Sequence, residues 1–460
     1  MKKKIAALAV TAAMIFGLAA CSSSSSSAAP ETKAPETEAA ETEAAETEAP
    51  ETEAAEEEVA QGVTDTTIYI GNTAATTGAY ATVGVPFNAG LEAALKQYND
   101  AGGFNGLNVE LIHYDDGFDA GQGLTYTKTL VETDKVFAIV GNFGTNTVGA
   151  NLDYLKEVGV PMVYAATGIS ALYNVEATGN ERCIMPVQPI YDAEGRVLLA
   201  RALATEENGL GLGGTKVGVI ATTDDAGTGM LDGVKYQAEL GSIELTIQEV
   251  AADATDFNAA ITVLMNAGCD VVIAAMNQAP LVKALNAMRD LEYNVKVITS
   301  YVNASATTLG ALVADGSITA ERPVYATSWL DLSTEEGVAD YTQFATVMLA
   351  YEAAEGITET YSGNSYAIAG YIAGLTFLAG LERVQAAGQT LTWANYIDAM
   401  ESEPISIPMG GSVDYANGAR LGLVDLALNT IGLEADENGA YALVTVDHIT
   451  PLEDVWAAIQ

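Results

Sequence analysis

TTIYIGNTAATTG, Thr66 to Gly78, decides how the rest of the chain is read. Ile68, Tyr69 and Ile70 form a short apolar strand that runs into small residues and two adjacent hydroxyls, Thr76 and Thr77. A helical pattern follows from Val85 to Tyr98. Strand, polar loop and helix in that order open an α/β domain, and ligands of open α/β sheets bind at the carboxyl ends of the strands. Thr77 and Tyr80, in this first loop, are therefore candidate ligand contacts.

The same unit repeats along the chain. Strands are expected at Thr67–Gly71, Asn108–Tyr114, Val136–Val140 and Pro161–Tyr164, with helical patterns between them. A second series starts at Val217–Ala221 and continues through Glu244–Glu249, Asp270–Ala275 and Val295–Thr299. Helix-rich sequence returns between about 325 and 415, and Ala419–Leu426 and Tyr441–Val446 read as closing strands. Alternating units of this size give mostly parallel sheets covered on both faces, and some 400 residues exceed one core. The expected fold class is α/β, with two similar three-layer αβα lobes joined by a multi-strand hinge. The expected division is 65–186 plus 325–417 for the first lobe and 187–324 plus 418–460 for the second.

Before this body the chain reads as delivery apparatus. Three lysines precede the apolar run Ile5–Ala20, which is shorter than the roughly 20 residues a bilayer span needs and fits a secretory signal, 1–20. The run ends Leu18-Ala19-Ala20-Cys21, which resembles the lipobox of bacterial lipoproteins and implies lipidation at Cys21. Residues 21–64 then make a tether: a serine run and six pentads of the PETEA kind, with twelve glutamates and no core-forming period. Such a tract is expected to stay extended and disordered. The formal net charge is −42, of which −34 belongs to Gln61–Gln460. That argues against nucleic acid or an anionic lipid face as a partner. Cys183 and Cys269, the other two cysteines, are too few for a disulfide framework.

Three stretches carry a family likeness. They are Asn72–Gly123, with NDAGGFNG at Asn99–Gly106 and Tyr114-Asp115-Asp116; Val136–Ala150 with Gly159–Gly168; and KVGVIATTDDAGTGMLDGVK, Lys216–Lys235. On these the body from Thr66 to about Leu428 resembles the branched-chain amino-acid (Leu/Ile/Val-binding) type of solute-binding protein of bacterial ABC importers. The resemblance implies a type I periplasmic-binding fold with a hinged cleft. It also implies a membrane permease and ATPase as partners, a small-molecule solute as cargo, a monomer, and no cofactor.

Candidate site residues follow from strand ends and from that resemblance. Thr145 and Asn146 sit where a helix begins, and free N–H groups there suit a carboxylate; the family's matching hydroxyl residue binds one. Thr167, with Gly168, lies past Pro161–Tyr164 and looks like the Ala-Thr pair with which relatives anchor a ligand. Asp224 and Asp225 end the strand Val217–Ala221 and read either as partners of a ligand ammonium or as a helix cap. Asn277 and Tyr301 follow later strands. Around Tyr301 many amino-acid binders have an acidic residue, and this chain has none. Amino acids and related carboxylates are thus the expected ligand class, and a ligand sensor of the same fold is the alternative role. Catalysis is not expected: there is no G-x-S-x-G, GLGLGG at Gly209–Gly214 precedes its strand and lacks the phosphate-loop ending, and two histidines 335 residues apart build no zinc motif. Asp115, Asp116 and Asp119 lack calcium-loop spacing and read as turn and cap residues.

Overall fold

The computed structural model describes residues 59–206 and 209–459; the signal, Cys21 and most of the tether lie outside them. The first sheet grows from β1 (Thr67–Ala74), whose Ile68 and Ile70 are fully buried. It is followed by α1 (Ala81–Asp100), β2 (Asn108–Asp115), α2 (Ala120–Glu132), β3 (Ala138–Val140), α3 (Thr145–Val158), β4 (Met162–Val163) and β5 (Ile184–Met185). The strand order is β2-β1-β3-β4-β5, all parallel. Parallel neighbours put every carboxyl-end loop along one edge, which is where the site is built.

The chain then crosses to a second sheet. In chain order come α4 (Tyr191–Leu203), β6 (Val217–Thr222), α5 (Asp225–Gly241), β7 (Leu245–Val250), α6 (Asn258–Ala267), β8 (Val271–Ala275), α7 (Gln278–Asp290), β9 (Lys296–Thr299), α8 (Ala306–Ala314) and β10 (Val324–Ser328). β10 pairs in parallel with β9. The expected return to the first lobe at residue 325 falls inside this strand, and its pairing leads us to place the crossing after Ser328.

Next come α9 (Glu335–Glu355), α10 (Ser365–Ala386) and α11 (Trp393–Glu401), then a hairpin of β11 (Ile405–Ile407) and β12 (Gly411–Val413) that the sequence pattern did not signal. α9 and α10 pack on α1. α10 is apolar and 22 residues long, but its face is core, mostly buried against the first lobe. The chain ends in the second lobe with β13 (Leu426–Ile431), β14 (Leu443–Thr450) and α12 (Leu452–Ala457). The second sheet has the order β14-β13-β10-β9-β8-β6-β7, with β13 antiparallel to both β10 and β14.

The expected strand over Ala419–Leu426 is not formed; the strand begins at Leu426. The segment before it is a crossing. Arg420 bridges Asn174, and the Leu423 N–H donates to the Val187 carbonyl at 2.9 Å. Gly422 has φ +66°, and a Cβ there would lie 2.4 Å from the Gln188 carbonyl oxygen. Arg420, 1% exposed, shares Glu401 with Arg182 and donates to the Arg182 carbonyl at 2.6 Å, so this crossing is pinned by charge as well as by backbone. The chain passes between the two sheets after β5, after β10 and before β13. Cys183 and Cys269 are separate buried thiols.

Glycine sets the spacing of α1 against α10. A Cβ at Gly370 would lie 1.8 Å from the Phe87 carbonyl oxygen, and one at Gly90 would lie 1.9 Å from that of Ala367. These are backbone atoms that cannot rotate away. We expect Gly370→Ala to destabilise the protein by about 1–3 kcal/mol or more despite alanine's better helix propensity. At Gly363 a Cβ would have its nearest neighbour, the Tyr341 hydroxyl, 3.9 Å away, so Gly363→Ala is the control. Thermal melts of the two variants check this: equal melting temperatures would show that the helices can move apart at no cost.

Candidate functional site

The first wall is the loop after β1. The Thr76 N–H donates to Asp115 Oδ1 at 3.0 Å. Burial pushes the Asp115 carboxyl up, but hydrogen bonds from the Thr77 hydroxyl and from the N–H groups of Gly117, Thr76 and Thr77 outweigh it and hold the group below its ordinary range. Thr77 is exposed, with its hydroxyl toward Asp115, so it does not join the residues grouped below. Asp116 accepts from the Phe118 N–H, and Asp119 caps α2 by accepting from the Gln122 N–H, both at 2.8 Å. Among the described residues no group of three or more His, Cys, Asp or Glu could hold a metal ion.

Tyr80 is half-buried and stacks on Phe118, with ring centroids 4.0 Å apart and planes 20° from parallel. Burial first, then the charges of Asp224 and Tyr191, push its phenol up to about 12. Tyr80 thus faces the second lobe. Phe118 holds this stack with φ +67°, a left-handed conformation that is costly for an aromatic residue and tends to persist at functional sites.

The second wall is the turn into α3. Gly144 is the N-cap, with φ 113° and no side-chain cap. A Cβ on it would lie 2.9 Å from the Phe118 ring, so glycine is required for both conformation and space. The first N–H groups of α3 are left for something other than a cap, and Thr145 is its first residue. Thr145 Oγ1 lies 3.1 Å from Thr167 Oγ1, both residues 2% exposed. The Tyr191 hydroxyl meets both threonines, and the Tyr191 N–H donates to the Gly168 carbonyl at 2.7 Å. At Gly168 a Cβ would lie 2.4 Å from the Pro189 carbonyl oxygen, so glycine lets the crossing chain lie against this loop. Asn146 is half-buried at the next position of α3. Three hydroxyls and an uncapped helix start form one donor-rich spot. Tyr191 escaped the sequence reading because it opens a helix beyond the two-residue strand β5; its only signal is its place just after the proline-flanked segment Pro186–Pro189.

On the second lobe, Asp224 caps α5: its Oδ1 accepts from the Gly227 N–H at 3.0 Å and from the Thr222 hydroxyl at 2.7 Å. Asp225 is exposed at the first position of α5. Asn277 is 4% exposed at the start of α7, makes no cap bond, and leaves its Nδ2 without a partner. The Tyr301 hydroxyl donates to the Pro189 carbonyl at 2.9 Å, and its ring lies 6.3 Å from that of Tyr191.

Phe143 and Ala166, next to the two threonines, open into a chamber between the lobes. Phe87, Trp329, Tyr301 and Tyr366 supply its aromatic lining, and among the described residues no charged side chain lines it. The Val302 carbonyl on the second lobe accepts from Gln278 Nε2 at 2.6 Å and from the Tyr366 hydroxyl of α10 at 3.2 Å. That second bond closes one side of the chamber across the two lobes.

This geometry can be set beside known proteins. The family model described as periplasmic binding protein matches residues 67–422. The chain belongs to the periplasmic binding protein family. An "Amino acid binding protein" of Pseudomonas aeruginosa is 26% identical over 214 residues, covering 45% of this chain and 52% of that protein. The chain spans about half the length of the curated relatives it matches. Among solved structures, a fatty acid ABC transporter substrate-binding protein from Thermomonospora curvata superposes with a TM-score of 0.71 at 19% identity, covering 86% of this chain and 96% of that one. An ABC transporter solute-binding protein from R. palustris in complex with benzoate gives 0.65 at 17%, covering 84% and 98%. These structures share the two-lobe α/β fold.

Behind Tyr301 sits Glu194, on the first turn of α4 and fully buried. It accepts from the Ser300 hydroxyl at 2.6 Å, from the Tyr301 N–H at 2.7 Å and from the Thr327 hydroxyl. Burial pushes its carboxyl up to about 7, although all three hydrogen bonds favour the charged form. The folded state therefore holds this proton more tightly than the unfolded chain. Stability that is fully present below the ordinary value of 4.5 is lost as pH rises through about 7. In Glu194→Gln the amide oxygen can keep Tyr301 and Thr327, and the amide nitrogen can donate to Ser300. We expect the melting temperature of this variant, relative to the unmutated protein, to rise between pH 5 and pH 8. An offset that is the same at both pH values would refute the assignment.

Proposed function

We infer that this is an extracytoplasmic solute-binding lipoprotein that captures a small polar metabolite between its lobes and delivers it to an ABC importer. An amino acid or a related carboxylate is the ligand class the site favours. The observation that carries the reading is the Thr145–Thr167–Tyr191 hydroxyl group at the uncapped start of α3, whose chain neighbours Phe143 and Ala166 line an uncharged chamber between the lobes. Hydroxyl and helix N–H donors suit a carboxylate, and exclusion of water strengthens such bonds. Thr145, Asn146, Thr167 and Gly168 hold the acidic end, with Tyr191 added by the geometry. Tyr80, Asp224, Asp225, Asn277 and Tyr301 contribute from the rim and the opposite lobe.

Family membership supports the binding role, and the names of the relatives span amino acids, a fatty acid and benzoate. Branched-chain amino acids are one choice within this class, and the missing carboxylate around Tyr301 widens it. Ligand contacts to both lobes shift an open–closed equilibrium, and the permease reads the closed form. No covalent step is involved.

A thermal-shift screen of amino acids and small carboxylates, followed by calorimetry on a hit, tests the site. We expect Thr145→Ala and Thr167→Ala each to weaken binding by about 1–3 kcal/mol, roughly five- to 150-fold. Unchanged affinity in both variants, with the fold intact, would put the ligand elsewhere.

The lipid anchor rests on the lysine-rich start, the short apolar run and Leu18-Ala19-Ala20-Cys21. In detergent partitioning of the producing cells we expect the unmutated protein in the membrane fraction and Cys21→Ser outside it. Full membrane recovery of Cys21→Ser would sink the anchor.

A further inference from the structure

The chamber is apolar except for a few neutral groups, and two of these are unsatisfied. Gln188 lines the chamber and is 8% exposed, and its Oε1 has no hydrogen-bond partner. Its amide lies beside the Tyr164 hydroxyl but closes no hydrogen bond with it. Ser365, at the first position of α10, lines the same chamber, and its Oγ is buried without a partner.

The two residues come from different parts of the chain. Gln188 lies in the first crossing, between Pro186 and Pro189, where backbone contacts on both sides fix its place: the Val187 carbonyl accepts from Leu423, and the Pro189 carbonyl accepts from Tyr301. Ser365 is held by the Asn364 cap, whose side chain accepts from the N–H groups of Tyr366 and Ala367. The backbone at both positions is held in place by these contacts. Buried polar atoms left unpaired are costly and ordinarily have partners. Two of them in one aromatic chamber, beside a spot built to take a carboxylate, call for a partner that arrives with the ligand.

We propose that Gln188 and Ser365 are specificity-determining residues that read a neutral hydrogen-bonding group on the ligand's body. The ligand is then a small carboxylate, with or without an α-ammonium, whose side chain is uncharged and partly apolar and carries a hydroxyl or an amide. A charged side chain would enter the chamber with no counter-charge and lose its hydration. A purely apolar body would fill the chamber but leave Gln188 Oε1 and Ser365 Oγ unsatisfied. A site with buried polar groups discriminates strongly against an analogue that lacks the matching group. A bound water would satisfy the same atoms without discriminating between ligands, and the experiment separates the two.

This inference rests on the cleft reading above. Its test uses pairs of nearly equal shape: phenylacetate against 4-hydroxyphenylacetate, and leucine against asparagine, measured by calorimetry on the folded protein. The member carrying the hydroxyl or amide is expected to bind roughly ten-fold tighter or more in at least one pair. That preference should collapse in Gln188→Met and in Ser365→Ala. Both variants remove an unsatisfied group, so their ligand-free melting temperatures should not fall. Ser365→Ala keeps the test open if Gln188→Met misfolds. Binding of phenylacetate or leucine with no preference for its polar partner overturns this inference and leaves the cleft reading standing. A preference that survives in both variants does the same. Failure of every carboxylate and amino acid in a wider panel to bind the folded protein overturns both readings.

Discussion

The site depends on one close approach. The crossing chain around Pro189 lies directly on the loop at Gly168, with the Tyr191 N–H donating to the Gly168 carbonyl at 2.7 Å. Glycine at 168 is what lets the Pro189 carbonyl come so near. From that contact Tyr191 is aimed at Thr145 and Thr167, and the Pro189 carbonyl takes the Tyr301 hydroxyl from the second lobe. One short segment therefore joins the hydroxyl cluster of the first lobe to the chamber wall of the second. A hinge segment in such a place takes part in the site as well as connecting the lobes.

Glu194 extends the same connection. It lies on α4, three positions after Tyr191, and its carboxyl gathers the ends of β9 and β10 through Ser300, Tyr301 and Thr327. A buried carboxyl without a cation is an expensive way to join strands. Its effect is local order: Tyr301 donates its N–H to Glu194 on one side and its hydroxyl to the Pro189 carbonyl on the other. The ring that lines the chamber is held at both ends.

Both lobes use glycine to bring helices together. Gly90 and Gly370 let α1 and α10 approach backbone to backbone, and Gly195 and Gly233 do the same for α4 and α5, where a Cβ would lie 2.1 Å and 2.0 Å from the carbonyl oxygens of Met230 and Asp192. In the first lobe this seats α10 so that Ser365 and Tyr366 reach the chamber. In the second it seats α4 so that Tyr191 lies against the Gly168 loop and Glu194 behind Tyr301. Helix spacing and site geometry are thus set by the same residues.

The sequence by itself determined the α/β class, the two strand series and the loops that carry Thr145, Thr167, Asp224 and Tyr301. Those features are local: apolar runs of strand length, helical periodicity and turn residues at strand ends repeat with little regard to what lies elsewhere in the chain. Tertiary structure decided the rest. Arg420 to Leu423 have strand-like apolarity, yet they bond to a crossing chain more than 200 residues earlier and stay out of the sheet. Thr77 has the position of a ligand contact, but Asp115 takes its hydroxyl. Gln188 and Ser365 reach the cleft, and Tyr191 the two threonines, only because helices and crossings far apart in the chain pack together. A period-based reading cannot place them, because contacts between distant segments leave no repeat in the sequence.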